Sequence, residues 1–262
     1  MTALVESIGR PVFQFVEECG RVVSVMLWAV FRLLLPPYRP RLVLKQCEFV
    51  GLQSLSIVIV TGGFTGAVFA IQAAYGFGLF GAESLTGSTV TLSLVRSIGP
   101  VFAALMVTGR AGSAMAAEIG SMKVTEQIDA LEAMAVDPIE YLVCPRIIAG
   151  TLMVPLLSAV FSMVGILGAW MVGVEMLQIN PGAFLDRIYW YCDPEDLVWG
   201  LAKASVFGFV LTVVGCAKGL YVQGGAEGVG RATTEAVVFS SVTILILDYF
   251  ITQFLMSRGL LT

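Results

Sequence analysis

From Phe49 to Ala82 the chain contains no charged residue. Lipid offers backbone amides no water, so a run of this kind can cross a membrane only as a helix or inside a closed barrel, and about 20 apolar residues suffice for the helix. A second uncharged run extends from Ile147 to Val174. Composition agrees: 57% of the 262 residues are hydrophobic and 13% are charged, against about 25% charged in ordinary soluble domains. Three further segments become spans if each tolerates one internal charge: 86–109 around Arg96, 197–217 around Lys203 and 236–257 around Asp248. The sequence predicts an all-α polytopic membrane protein with five transmembrane helices, extending over 49–75, 86–118, 146–176, 197–219 and 234–257.

Residues 1–45 form a separate N-terminal region ahead of the five-span body at 46–262. Glu6 and Arg10 interrupt a weak apolar pattern and no small-residue cleavage site follows, so the segment does not read as a signal peptide and is expected to stay on the mature protein. The apolar run Val22 to Phe31 is too short to span, and Pro36, Pro37 and Pro40 end it. A helix lying in the interface is the expectation.

With no histidine, the chain lacks the usual general base near neutral pH and the usual zinc ligand. The five cysteines, at 19, 47, 144, 192 and 216, have no metal-like spacing, and we assign neither metal nor disulfide. Hydrolase chemistry is disfavoured. A P-loop needs a lysine directly after a glycine, and Lys45, Lys123, Lys203 and Lys218 all follow other residues. The chain is expected not to be an enzyme, and no nucleic-acid signature is present.

Six of the fifteen basic residues precede the first span; Arg110, Lys123 and Arg146 flank the connection between spans two and three, and Lys218 and Arg231 that between spans four and five. The opposite connections carry none (76–85) and Arg187. The positive-inside rule puts the N-terminus in the cytoplasm and the C-terminus outside. The cytoplasmic connection at 109–138 reads GRAGSAMAAEIGSMKVTEQIDALEAMAVDP. Gly112, Ala116 and Gly120 recur every four residues and permit close approach of another helix. Beyond them, Ile128, Leu131 and Ala135 fall at helical spacing with Glu126, Asp129 and Glu132 turned mostly elsewhere, predicting a short amphipathic helix over 124–136. Such a helix is either a solvated connector or a docking element for a soluble partner.

This string, with PRIIAG at 145–150 and GVGRATTEAVV at 228–238, resembles the MlaE (YrbE) family, the permease subunit of Mla/MCE-type ABC phospholipid transporters, from about residue 45 to the C-terminus. The resemblance implies a cytoplasmic coupling helix between spans two and three that sits in a groove of an ATPase, with Glu126, Ile128, Asp129, Leu131 and Glu132 as coupling residues. It also implies a homodimer, a MlaF-like ABC ATPase that binds ATP and Mg, a MlaB-like STAS-domain regulatory subunit and a hexameric periplasmic MlaD-like MCE protein. The implied activity is movement of glycerophospholipid between a bacterial inner membrane and the MCE protein, maintaining outer-membrane lipid asymmetry. An ion- or proton-coupled secondary transporter using Arg96, Lys203 and Asp248, and a non-transporting scaffold, are the alternatives.

Ionisable groups within a bilayer are costly and mark cavities or pairs. At 1.5 Å per residue, Arg96, Lys203 and Asp248 lie about 15, 9 and 13 Å below the outer surface. Lys203 and Asp248 are expected to neutralise each other, leaving Arg96 as a surplus cation suited to a lipid phosphate. The resembled family has Arg-Glu-Leu-Gly-Pro where this chain has Arg96-Ser97-Ile98-Gly99-Pro100, so Arg96 has no adjacent counterion. Phe69, Phe77 and Phe80 offer an apolar wall for acyl chains, or an interfacial belt. Glycines at 62, 63 and 66 and at 165 and 173, with Ala169, fit close helix contact, and either set is available to a dimer interface. The outward connection 178–196 meets a periplasmic partner or caps the bundle, and Thr233 is a candidate helix cap for span five.

Overall fold

The computed structural model describes residues 2–33 and 39–259. Among these, five helices are long and apolar enough to cross a membrane: α2 (Pro40–Gly78), α3 (Glu83–Val124), α5 (Ile139–Met176), α7 (Pro194–Leu220) and α8 (Gly225–Ser257). Three others complete the chain: α1 (Thr2–Leu33), α4 (Gln127–Ala133) and α6 (Pro181–Tyr191). The protein is an all-α polytopic membrane protein.

Every span is longer than its apolar run predicts. Helix α8 shows why: it begins at Gly225, after Gly224 turns the chain at φ +93°, and its first turns hold an i,i+4 pair between Arg231 and Glu235 that lets the helix continue outside the oily zone. Thr233 therefore lies inside α8, where its hydroxyl donates to the Gly230 carbonyl at 2.6 Å, and the cap position belongs to Gly224.

Glycine seams bring the spans together. A Cβ on Gly66 of α2 would run into the carbonyl oxygen of Gly165 on α5, and one on Gly62 would stand 2.9 Å from the Phe161 oxygen. Gly168 presses the same way on Gly63. Of the two glycine sets left open by the sequence, 62, 63 and 66 thus meet α5 at 161, 165 and 168 within one chain, while Gly173 packs on Phe184. Gly150 of α5 meets Gly208 of α7, and the 112–116–120 stripe of α3 receives α7 at Gly215 and Gly219, whose Cβ positions lie 3.0 Å from the Gly112 and Ala116 oxygens. Apolar spans gain little from leaving lipid for one another, so this close backbone contact provides much of the packing energy.

Helix α1 buries Val25 and Ala29 in a cluster with Ile128, Val143, Ile147 and Val213, while Leu27, Trp28 and Phe31 remain exposed. Helix α6 caps the opposite end: Asn180 accepts from the Gly182 and Ala183 amides, and Phe184 is buried with Ala74 and Ile179. The 178–196 connection is a lid on the bundle from which Tyr189 and Trp190 project.

Candidate functional site: a charge cluster beside an open cleft

Arg96 lies in a π-turn, Leu94–Ile98, with Pro100 two residues beyond its end. A wide turn and a proline together deprive nearby carbonyls of helical donors. For the Arg96 carbonyl a neighbouring helix supplies the replacement: Lys203 of α7 donates to it at 3.0 Å. Ser162 of α5 donates at 3.2 Å to the Leu94 oxygen, which also accepts from the Gly99 amide. Helix α7 comes this close because Gly200 faces the Val95 carbonyl, where any Cβ would collide.

Lys203 is buried, and an ammonium has three protons to place. They go to the Arg96 carbonyl, to Ser97 Oγ at 3.0 Å and to Thr252 Oγ1 at 2.8 Å. Asp248 Oδ1 stands 2.5 Å from the same nitrogen, completing the expected ion pair. The ammonium is thus surrounded by one carboxylate and three neutral oxygens.

Arg96 is not the surplus cation the sequence suggests. Its Nε donates to Asp196 Oδ1 at 2.7 Å, and that carboxylate is only 5% exposed. Asp196 sits three residues after Asp193 in a capping box at the start of α7, its other oxygen accepting from the Asp193 amide at 3.2 Å. The Asp-Pro-Glu-Asp string gives away the cap; nothing in it reveals an arginine one hundred residues earlier. Ser97 and Thr252 escaped the sequence reading for the same reason.

Two clefts meet at Ile98. One, of about 500 Å³, lies between α3 and α8 and is lined by Ser93, Arg96, Ser97, Thr252 and Met256 among others. The second, of about 420 Å³, lies between α2 and α3 and is almost wholly apolar, with Phe64, Val68, Phe69 and Phe102 on its walls. Of the aromatic residues named from sequence, Phe69 lines this cleft. Phe80 falls beyond the end of α2 and is 84% exposed, and Phe77 lies two turns past Phe69. Phe64 and Phe102 take their places.

At the end of the bundle rich in Lys and Arg, the chain turns sharply into and out of α4. Glu126 and Ala135 both adopt the left-handed region, at φ +59° and +58°. The exit is a Schellman turn: the Val136 amide donates to the Leu131 oxygen at 3.0 Å and that of Ala135 to the Glu132 oxygen at 2.9 Å. Asp137 then accepts from the Ile139 amide and pairs with Arg32 of α1 at 2.6 Å, so α5 starts at once. Ile128 is 3% exposed and anchors α4 to its own chain, and Leu131, half-buried, packs on the same cluster. Glu126, Asp129 and Glu132 face outward, with Met134 at 66% exposure beside them.

The remaining signature cations hold helix joints. Arg110 donates to the Phe49 oxygen at 2.5 Å, to Ser54 Oγ at 3.0 Å and to Gln53 Oε1, tying α3 to a π-turn in α2. Arg146 donates to the Leu142 oxygen and to Glu118, both at 2.7 Å. The motif is thus a set of bolts around the α3–α4–α5 connection.

Five spans, four of them joined by glycine seams, with a buried charge cluster and an open cleft define a polytopic helical membrane protein of the transport type. The description Permease MlaE matches residues 43–254, and the chain belongs to that family. It is a transmembrane permease subunit. It is 44% identical over 250 residues, 95% of this chain and 96% of the relative, to a probable ABC transporter permease protein of Rickettsia felis. It is 36% identical over 261 residues, 97% and 98% of the two chains, to the intermembrane phospholipid transport system permease protein MlaE of Haemophilus influenzae. A chloroplastic protein of Arabidopsis thaliana, TRIGALACTOSYLDIACYLGLYCEROL 1, is 36% identical over 225 residues, 86% of this chain and 64% of that protein.

Proposed function

We propose that this chain is the membrane half of an ATP-driven phospholipid transporter of a bacterial inner membrane, with its N-terminus cytoplasmic and its C-terminus periplasmic. Two copies form the translocation path; a MlaF-like ATPase binds ATP and Mg, a MlaB-like STAS subunit regulates it, and a hexameric MlaD-like MCE protein exchanges glycerophospholipid with the outer side. The single observation that carries this reading is α4. A short acidic helix, pinned inward by Ile128 and outward-facing through Glu126, Asp129 and Glu132, stands on the basic end of the bundle between two sharp turns.

Motion imposed on α4 reaches α3 and α5 within a few residues, because Lys123 pairs with Asp129 at 2.7 Å and the Schellman turn passes straight into α5. Helix α3 carries the cleft residues Ser93, Arg96 and Ser97 at its far end. Phospholipid headgroups lie by Arg96 and acyl chains along Phe64, Phe69 and Phe102. Transport requires the lipid to bind one arrangement of the cleft better than the other, since equal affinity would shift nothing. The secondary-transporter alternative has less support: Arg96 and Lys203 are each committed to a carboxylate within the bundle.

The test separates docking from folding. Glu126→Lys/Asp129→Lys/Glu132→Lys changes only exposed positions, and the permease is expected to purify folded while ATPase recovery falls at least tenfold. Ile128→Asp buries a charge and is expected to lose the folded permease itself. ATPase retention by the triple variant would overturn the docking assignment.

A further inference from the structure

We infer that Asp196 is a positioning residue that neutralises Arg96 at the mouth of the cleft and thereby selects zwitterionic over anionic phospholipid. The inference rests on the proposed lipid site and names the headgroup class it takes.

Four ionisable side chains meet in this part of the bundle. Arg96 pairs with Asp196 at 2.7 Å and Lys203 with Asp248 at 2.5 Å, so each cation has its own carboxylate. Asp196 is held by construction and not by chance: its second oxygen closes the capping box of α7, and the side chain is 5% exposed. The residue next to Arg96 on α3 is the neutral Ser97, whose hydroxyl accepts from Lys203. The carboxylate that meets Arg96 comes instead from α7, on the side reached by Nε.

A guanidinium so paired still offers hydrogen bonds to a phosphate but little net charge. Bringing a lipid of net charge −1 into such a site leaves that charge without a counterion, since beside Arg96 the lining offers only hydroxyls (Thr89, Ser93, Ser97, Thr252) and apolar side chains. A zwitterionic lipid carries its own ammonium, so phosphate and site need no further ion. Asp193 and Glu195, exposed at the start of α7, add two further negative charges within three residues of Asp196.

The assembled transporter is equilibrated with vesicles of equal phosphatidylethanolamine and phosphatidylglycerol, re-purified, and its bound lipids are quantified by mass spectrometry. The wild type should hold phosphatidylethanolamine over phosphatidylglycerol by about threefold or more. Asp196→Asn keeps the capping oxygen and removes the charge; the ratio should fall at least fivefold, toward phosphatidylglycerol. Arg96→Gln/Asp196→Asn, neutral again, should return toward the wild-type ratio, a recovery that a merely structural role for Asp196 would not produce. An unchanged ratio in both variants, or wild-type preference for phosphatidylglycerol, overturns the inference while leaving the lipid site standing. Absence of phospholipid from the wild type overturns both.

Discussion

Gly66→Ala is expected to cost about 3 kcal/mol or more of permease stability, while Gly63→Ala, three residues away on the same seam, should cost well under 1 kcal/mol. Both add one methyl group to α2. At Gly66 that methyl would occupy the space of the Gly165 carbonyl, and backbone cannot rotate out of the way as a side chain can. At Gly63 it would meet only Val164 Cγ1, 3.5 Å away, in ordinary contact. Helices α2 and α5 would have to separate along their length to admit the first change. Thermal unfolding in detergent, followed by loss of a monodisperse peak, distinguishes the two; equal midpoints would mean that α2 and α5 do not meet through these glycines.

Lys203→Ala should be the most damaging change among the buried charges, at about 3–5 kcal/mol. It strands Asp248 as an unpaired anion and leaves the Arg96 carbonyl, already deprived of helical donors by the π-turn and Pro100, without its replacement. Lys203→Ala/Asp248→Ala removes the stranded charge and should recover about 1–2 kcal/mol of that loss. Full recovery is not expected, because the Arg96 carbonyl, Ser97 and Thr252 remain without their donor, each at about 1 kcal/mol. A double variant no more stable than the single one would show that the two charges do not depend on each other.

The spans were legible because lipid imposes a simple rule on composition: the charge-free runs at 49–82 and 147–174 are continuous and long enough to cross as helices, without the apolar–polar alternation of barrel strands. The Lys203–Asp248 pair was legible for a related reason, since two opposite charges at similar depth have strong cause to meet. Helix ends were less readable. Polar residues such as Arg231 and Glu235 continue a helix as readily as they end one, so α8 starts nine residues before the expected bound. The direction faced by α4 was misjudged for Ile128 and Leu131 because periodicity marks an apolar face without saying what covers it; the chain's own α1, α5 and α7 do so. Asp196 was invisible as a partner of Arg96 because tertiary approach, and not spacing, brings α7 against the π-turn of α3. Likewise the glycine sets looked equally suited to a second copy, whereas Gly62, Gly66 and Gly165 are used between α2 and α5.

The central claim, that someone else's nucleotide cycle moves lipid through this chain by way of α4, is tested most directly by reconstituting the assembled transporter in proteoliposomes and following fluorescent phospholipid transfer to the MCE partner. Transfer should require hydrolysable ATP, stop with a hydrolysis-deficient ATPase subunit, and stop equally with the Glu126→Lys/Asp129→Lys/Glu132→Lys permease. Transfer that continues at the wild-type rate with the ATPase disabled would contradict the account.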